Sequence, residues 1–150
     1  DEKLGDQIAS EAKRFGATST VNAANSKPVE SVMKMTGRRG VDTAIEAVGI
    51  PATFELCEKI VTPGGVIANI GVHGKKVDLY LESLWDRNIA ITTRLVDTIS
   101  IPMLFKTVLS NKIDPKQLIT HRFRLCDILE AYDTFGRAAE TNALKVIIEA

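Results

Sequence analysis

With 150 residues, 45% of them hydrophobic and 25% charged, the chain has the composition of a globular protein large enough to bury a core. Its 19 basic and 19 acidic side chains cancel to a formal net charge of +0, so there is no electrostatic case for a nucleic-acid or anionic-membrane partner. Cys57 and Cys126 show no paired spacing and read as buried free thiols within helices, as a reducing cytoplasmic compartment would favour. No apolar run nears the roughly 18 residues that span a bilayer, and no signal peptide is visible.

The chain opens directly on a helical pattern, which reads as a truncated start. A helix is expected over 6–15, with Gly16 closing it, and then a short strand over 18–22. Pro28 can sit in the first turn of a helix carrying Val29, Val32, Met33 and Met35, which Gly37 ends. Residues 41–48 read as a strand buried on both faces, and Pro51 starts a helix over 52–61 with Phe54, Cys57, Ile60 and Val61 on one face. Pro63-Gly64-Gly65 is turn chemistry ahead of a strand over 66–70. Residues 78–84 alternate weakly, and the β-branched run 89–93 is a further strand. Pro102 opens a helix with Leu104, Phe105, Val108 and Leu109 turned inward, and 118–123 is extended. Asp127 is positioned to cap a helix whose stripe is Ile128, Leu129, Tyr132 and Phe135, and 143–148 closes the chain as a strand.

Strands alternating with helices of these lengths define an α/β fold with a mostly parallel sheet and flanking helices. In such sheets ligands sit beyond the carboxyl ends of strands, where Gly49 and Gly71 fall. No Gly-x-Gly-x-x-Gly loop precedes these strands. The chain therefore reads as the later part of a nucleotide-binding enzyme.

Five segments, in order, resemble the zinc-dependent alcohol dehydrogenase family of the medium-chain dehydrogenases. They are Ala12-Lys13-Arg14-Phe15-Gly16-Ala17-Thr18, then residues 39–49 ending Glu46-Ala47-Val48-Gly49, Pro63-Gly64-Gly65 through Ile70-Gly71-Val72, Leu118-Ile119-Thr120-His121-Arg122-Phe123, and Ala143-Leu144-Lys145-Val146-Ile147-Ile148. The resemblance implies a Rossmann-like domain, incomplete because the first strand and glycine-rich loop are missing. Residues 1–150 would be a partial NAD(P)-binding domain plus a C-terminal tail.

The resemblance also implies site roles. Ala47, Val48 and Gly49 would lie along the adenosine side of the cofactor, and Ile70, Gly71 and Val72 would meet the nicotinamide, whose carboxamide needs backbone donors and acceptors in a fixed plane. Thr93 and Arg94 would finish carboxamide recognition through main-chain groups, and Lys145 would offset the pyrophosphate charge. The cofactor would be NAD or NADP, with NAD favoured. The position that reads the ribose falls near Lys3, flanked by Glu2 and Asp6, without a secure acidic match. The resemblance places zinc and its ligands in a catalytic domain outside this sequence; the two histidines and two cysteines here form no ligand set. His73 reads as a surface histidine. Glu46, unusual in an apolar strand, is expected to accept local hydrogen bonds and has no assigned role.

The implied parent enzyme exchanges hydride between a small alcohol or carbonyl and NAD(P), as a homo-oligomer. This chain alone would show no turnover and would bind dinucleotide poorly. The rival readings are a zinc-free quinone or enoyl reductase of the same superfamily and a non-catalytic dinucleotide-binding module.

Overall fold

The computed structural model describes residues 2–95 and 97–150, with the side chains of Glu2 and Lys3 excepted. Asp1, Val96 and those two side chains, which bear on the expected ribose reader, lie outside the described residues. In chain order the elements are α1 (Glu2–Arg14), α2 (Pro28–Met35), β1 (Val41–Glu46), α3 (Pro51–Ile60), β2 (Val61–Asn69), β3 (Ala90–Thr93), α4 (Ile101–Leu109), β4 (Ile119–Arg124), α5 (Ile128–Gly136), α6 (Ala138–Thr141) and β5 (Lys145–Glu149). Short 3₁₀ turns occupy Leu81–Ser83, Pro115–Leu118 and Leu125–Asp127. The chain divides into two compact units, Ser26–Val96 and Asp1–Asn25 with Asp97–Ala150.

In the first unit β1, β2 and β3 form a parallel sheet in that order. A parallel pair needs a crossover, and α3 supplies it between β1 and β2. Phe54 and Cys57 of α3 pack with Ala44, Val61 and Ile67 as the core, with Val41, Ile60, Val77 and Ile89 around it. The expectation that β1 is buried on both faces is corrected. Ala44 and Glu46 point into the covered side, whereas Ile45 is 63% exposed. The helices of this unit that pack together, α2 and α3, leave that second face uncovered.

Pro63-Gly64-Gly65 also differs from the expected turn. β2 runs through it, and the register passes from Val41 opposite Val61 to Thr43 opposite Val66, so the three residues form a bulge. Residues 78–84 form no strand but a loop and the 3₁₀ turn.

The other unit holds a parallel β4–β5 pair joined by α5 and α6. Its α5 buries Ala131 and Thr134, not the expected stripe: Leu129, Tyr132 and Phe135 are all exposed. Leu104, Phe105 and Leu109 of α4 likewise face solvent rather than inward. Residues 18–22 form no strand, since neither described sheet offers them a ladder; the Asn22 side chain instead accepts from Ala24 N at 3.0 Å and donates to Asp6 at 2.9 Å. Gly16 does close α1, with its N–H on Lys13 O and that of Ala17 on Ala12 O. Cys57 is buried as expected, but Cys126 is exposed, in a 3₁₀ turn rather than a helix. Asp127 sits at the N-cap of α5 without capping it; its carboxylate pairs with Arg124 instead.

Candidate functional site

The carboxyl ends of β1 and β2 lie side by side because the parallel register sets Glu46 opposite Asn69. Past these ends the chain turns through Ala47-Val48-Gly49 into α3 and through Ile70-Gly71-Val72 into a loop. The two turns interlock. Gly49 has φ +87, and a Cβ there would overlap the backbone of Val72. A Cβ on Gly71 would overlap the Glu46 carboxylate and the Gly49 backbone. Both glycines are therefore required by this close approach of two turns. Around them Ala47, Val48, Ile70 and Val72 are exposed, Val72 by 78%.

Glu46 organises this junction. Its residue is 1% exposed. Its main-chain oxygen accepts from Ile70 N at 2.8 Å and from Gly71 N at 3.1 Å. Its side-chain Oε1 accepts from Val48 N at 2.9 Å, Gly49 N at 2.8 Å and the Thr53 hydroxyl at 2.6 Å. Thr53 Oγ1 also lies 2.9 Å from Ile50 O, and the shorter contact takes its one proton. Oε2 lies 3.2 Å from His73 Nε2.

His73 is only partly exposed, and Nε2 is also 2.8 Å from Asn69 Oδ1. The Asn69 amide nitrogen donates to Gly71 O at 3.3 Å, which orients its oxygen toward the imidazole. Both neighbours of Nε2 are acceptors, so the proton is assigned to that nitrogen. The ring meets Phe54 edge to face, and Nδ1 is buried without a partner.

Burial raises the pKa of Glu46. The Thr53 hydroxyl, the Gly49 and Val48 amides and His73 together outweigh it, and the carboxyl is held below its usual range. The carboxylate is therefore ionised at neutral pH.

The main-chain donors expected along the cofactor are thus largely committed inside the protein. The N–H groups of Val48, Gly49, Ile70 and Gly71 all end on Glu46, and that of Arg94 donates to Asn69 O at 3.2 Å. What this rim presents to a ligand is the exposed surface of Val48, Ile70 and Val72 and backbone carbonyls. Thr93, opposite Asn69 in the ladder, lines a cavity of about 330 Å³ with Asn69, His73, Phe54 and Ile91. Lys145 is the first residue of β5, exposed, and belongs to the other unit. Sequence reasoning missed the joint role of Glu46 and His73. A carboxylate in an apolar strand three residues before a glycine was the available signal.

Among the described residues no three His, Cys, Asp or Glu side chains converge on a point that could hold a metal. These residues do not fit a zinc site. No helix among the described residues is long and apolar enough to cross a membrane.

The fold is the Rossmann-like one of the medium-chain dehydrogenases. The family model described as zinc-binding dehydrogenase matches residues 4–112, and the chain belongs to that family. It is 34% identical over 142 residues to an alcohol dehydrogenase of Cupriavidus necator, covering 92% of this chain and 38% of that protein. An NADP-dependent isopropanol dehydrogenase of Clostridium beijerinckii is 34% identical, with 91% and 41% covered. The apo structure of zinc-dependent alcohol dehydrogenase 2 from Streptococcus pneumoniae superposes with a TM-score of 0.90 at 49% identity, covering 97% of this chain and 42% of that one. The chain thus spans about two fifths of the length of these relatives.

Proposed function

We propose that this chain is the dinucleotide-facing portion of an alcohol dehydrogenase that exchanges hydride between a small alcohol and the corresponding aldehyde or ketone, with NAD(P) as the acceptor or donor. The observation that carries the reading is the pair of interlocked turns beyond β1 and β2, which sets exposed Val48, Ile70 and Val72 on one rim. Ligands of parallel α/β sheets bind at such strand ends. The dinucleotide, when bound, supplies the hydride chemistry. The chain's own residues would bind and orient it: Ala47, Val48 and Gly49 along the adenosine, and Ile70, Gly71 and Val72 beside the nicotinamide. Thr93 and Arg94 would border the carboxamide, and Lys145 would face the phosphates.

Because N–H groups of this rim are consumed by Glu46, a carboxamide amino group would be met by rim carbonyls. The Clostridium relative is NADP-dependent by name, and the names of the relatives point to alcohols as substrates. Zinc would be held by residues outside this chain. A homo-oligomer in a reducing, cytoplasmic setting completes the proposal.

Calorimetric titration of the protein carrying this segment with NAD and NADP, followed by an alcohol-oxidation assay, tests the reading. Saturable binding with turnover is expected. The isolated 150-residue chain is expected to bind weakly and turn nothing over, since the phosphate-binding glycine loop that carries much of the affinity is not in it. Absence of dinucleotide binding by the whole protein would defeat the proposal.

A further inference from the structure

We propose that Glu46 is a positioning residue that sets both halves of the dinucleotide rim at once. The inference rests on the dinucleotide reading above and adds to it the group that builds the site. Four main-chain N–H groups expected at the cofactor, those of Val48, Gly49, Ile70 and Gly71, all terminate on this one residue. The carboxylate holds the turn after β1, and the carbonyl holds the turn after β2.

A second connection closes the circuit. Oε2 faces His73 Nε2, His73 reaches Asn69 Oδ1, and Asn69 Nδ2 returns to Gly71 O. The Gly71 peptide is thereby gripped from both sides, its N–H by Glu46 and its carbonyl by Asn69. A buried ionised acceptor with this many donors is rigid. Displacing a ligand-bearing backbone by even about 1 Å can cost on the order of a hundredfold in rate.

The geometry separates two functions. Thr53 and the Val48 and Gly49 amides bond Oε1, on the adenosine side. His73 Nε2 stands 3.2 Å from Oε2, which has no hydrogen-bond partner of its own, on the nicotinamide side. Loosening Oε1 should weaken dinucleotide binding, whereas loosening Oε2 should misplace the reacting ring and slow turnover.

The test uses the whole dehydrogenase carrying this segment, with NADH and NADPH binding followed by fluorescence and with propan-2-ol and ethanol oxidation for turnover. Thr53→Val is expected to raise the dinucleotide KM about fivefold with kcat little changed, and His73→Asn to lower kcat about tenfold with KM little changed. Glu46→Gln, which keeps an acceptor for the amides but turns an NH₂ toward His73, should do both. Glu58→Gln, an equally buried carboxylate away from the rim, is the control and should leave both constants alone. A merely structural role would lower the active fraction in every rim variant, reducing kcat without the split in KM.

Unchanged KM and kcat in folded Glu46→Gln, or no split between Thr53→Val and His73→Asn, would overturn the positioning role while leaving the dinucleotide reading intact. If Glu46→Gln fails to fold, the Thr53 and His73 variants decide alone. Failure of the unsubstituted enzyme to bind either dinucleotide would overturn the underlying reading itself.

Discussion

Glu46 and Glu58 lie in the same unit, 1% and 4% exposed, and their carboxyl pKa values are shifted in opposite directions. Glu46 sits where two strand ends converge and collects three donors on Oε1 alone, so its carboxyl is held low. Glu58, on α3, accepts from Tyr80 N at 3.1 Å, its one hydrogen-bond donor here, and its Oε2, like that of Glu46, is buried with no hydrogen-bond partner. Burial pushes its pKa up; the Tyr80 amide opposes that, Glu55 and Glu82 add to it, and Lys59 opposes it weakly. Desolvation penalises both ions, and what differs is the supply of backbone donors. Strand ends and turns have unpaired N–H groups to give. A helix flank has none, because its amides already bond within the helix.

The comparison breaks most visibly by removing the first carboxylate. Glu46→Ala strands the Val48 and Gly49 amides at a largely buried junction, while the Thr53 hydroxyl can still donate to Ile50 O, and each unmet donor costs about 1–3 kcal/mol. A loss of about 3 kcal/mol or more is expected in urea unfolding, against near-zero change for truncation of an exposed ion pair such as Lys76–Asp78. A stability loss under about 1 kcal/mol would mean that those donors find other partners.

Next in size is Gly71→Ala. Its methyl group would enter the space of the Glu46 carboxylate and the Gly49 backbone, whereas a methyl group on Gly74, three residues on, would meet nothing within 4 Å. Overpacking of this kind costs about 1–3 kcal/mol. Paired melts of Gly71→Ala and Gly74→Ala read the difference, and equal melting temperatures would show that the two turns can part without loss.

The βαβ core was legible because its signals are local. Pro51 opened a helix where helical φ is pre-set, β-branched runs marked β2 and β3, and glycines fell at the strand ends. Where reading failed, the deciding contact was remote in sequence. Nothing near His73 says that parallel register carries it to Glu46, so it read as a surface residue. Ile45 looked like a two-sided core residue because apolarity reports burial potential, not whether a layer covers that face. Residues 18–22 have strand composition but no ladder to join, and α5 turned its small residues Ala131 and Thr134 inward while its larger apolar side chains stayed exposed. Site chemistry was legible to the level of which backbone segments meet, and not to the level of which N–H groups remain available.

Acid titration sharpens the contrast further. Because the folded-state pKa of Glu46 is depressed, its contribution to stability is present above the ordinary value of 4.5 and is lost as pH falls through the lower folded value. Urea midpoints should therefore drop more between pH 5 and pH 2 for the unsubstituted protein than for Glu46→Gln, which has no proton to take up there. Parallel acid limbs would show that the donors around Oε1 do not favour the ionised form.

Glu58 carries the opposite sign and the smallest effect. Its folded-state pKa is raised above 4.5, so below that value both states hold the proton and Glu58 adds nothing to pH dependence. As pH rises, the unfolded chain ionises first and folding is progressively disfavoured. Glu58→Gln retains an oxygen for the Tyr80 amide and removes the charge. It should be more stable than the unsubstituted protein at pH 8 and match it at pH 4, with midpoints measured in the same buffer series. A variant destabilised at both pH values would mean that the orphaned Oε2 is engaged as an anion after all, and that a helix flank can solvate a buried carboxylate as well as a strand end does.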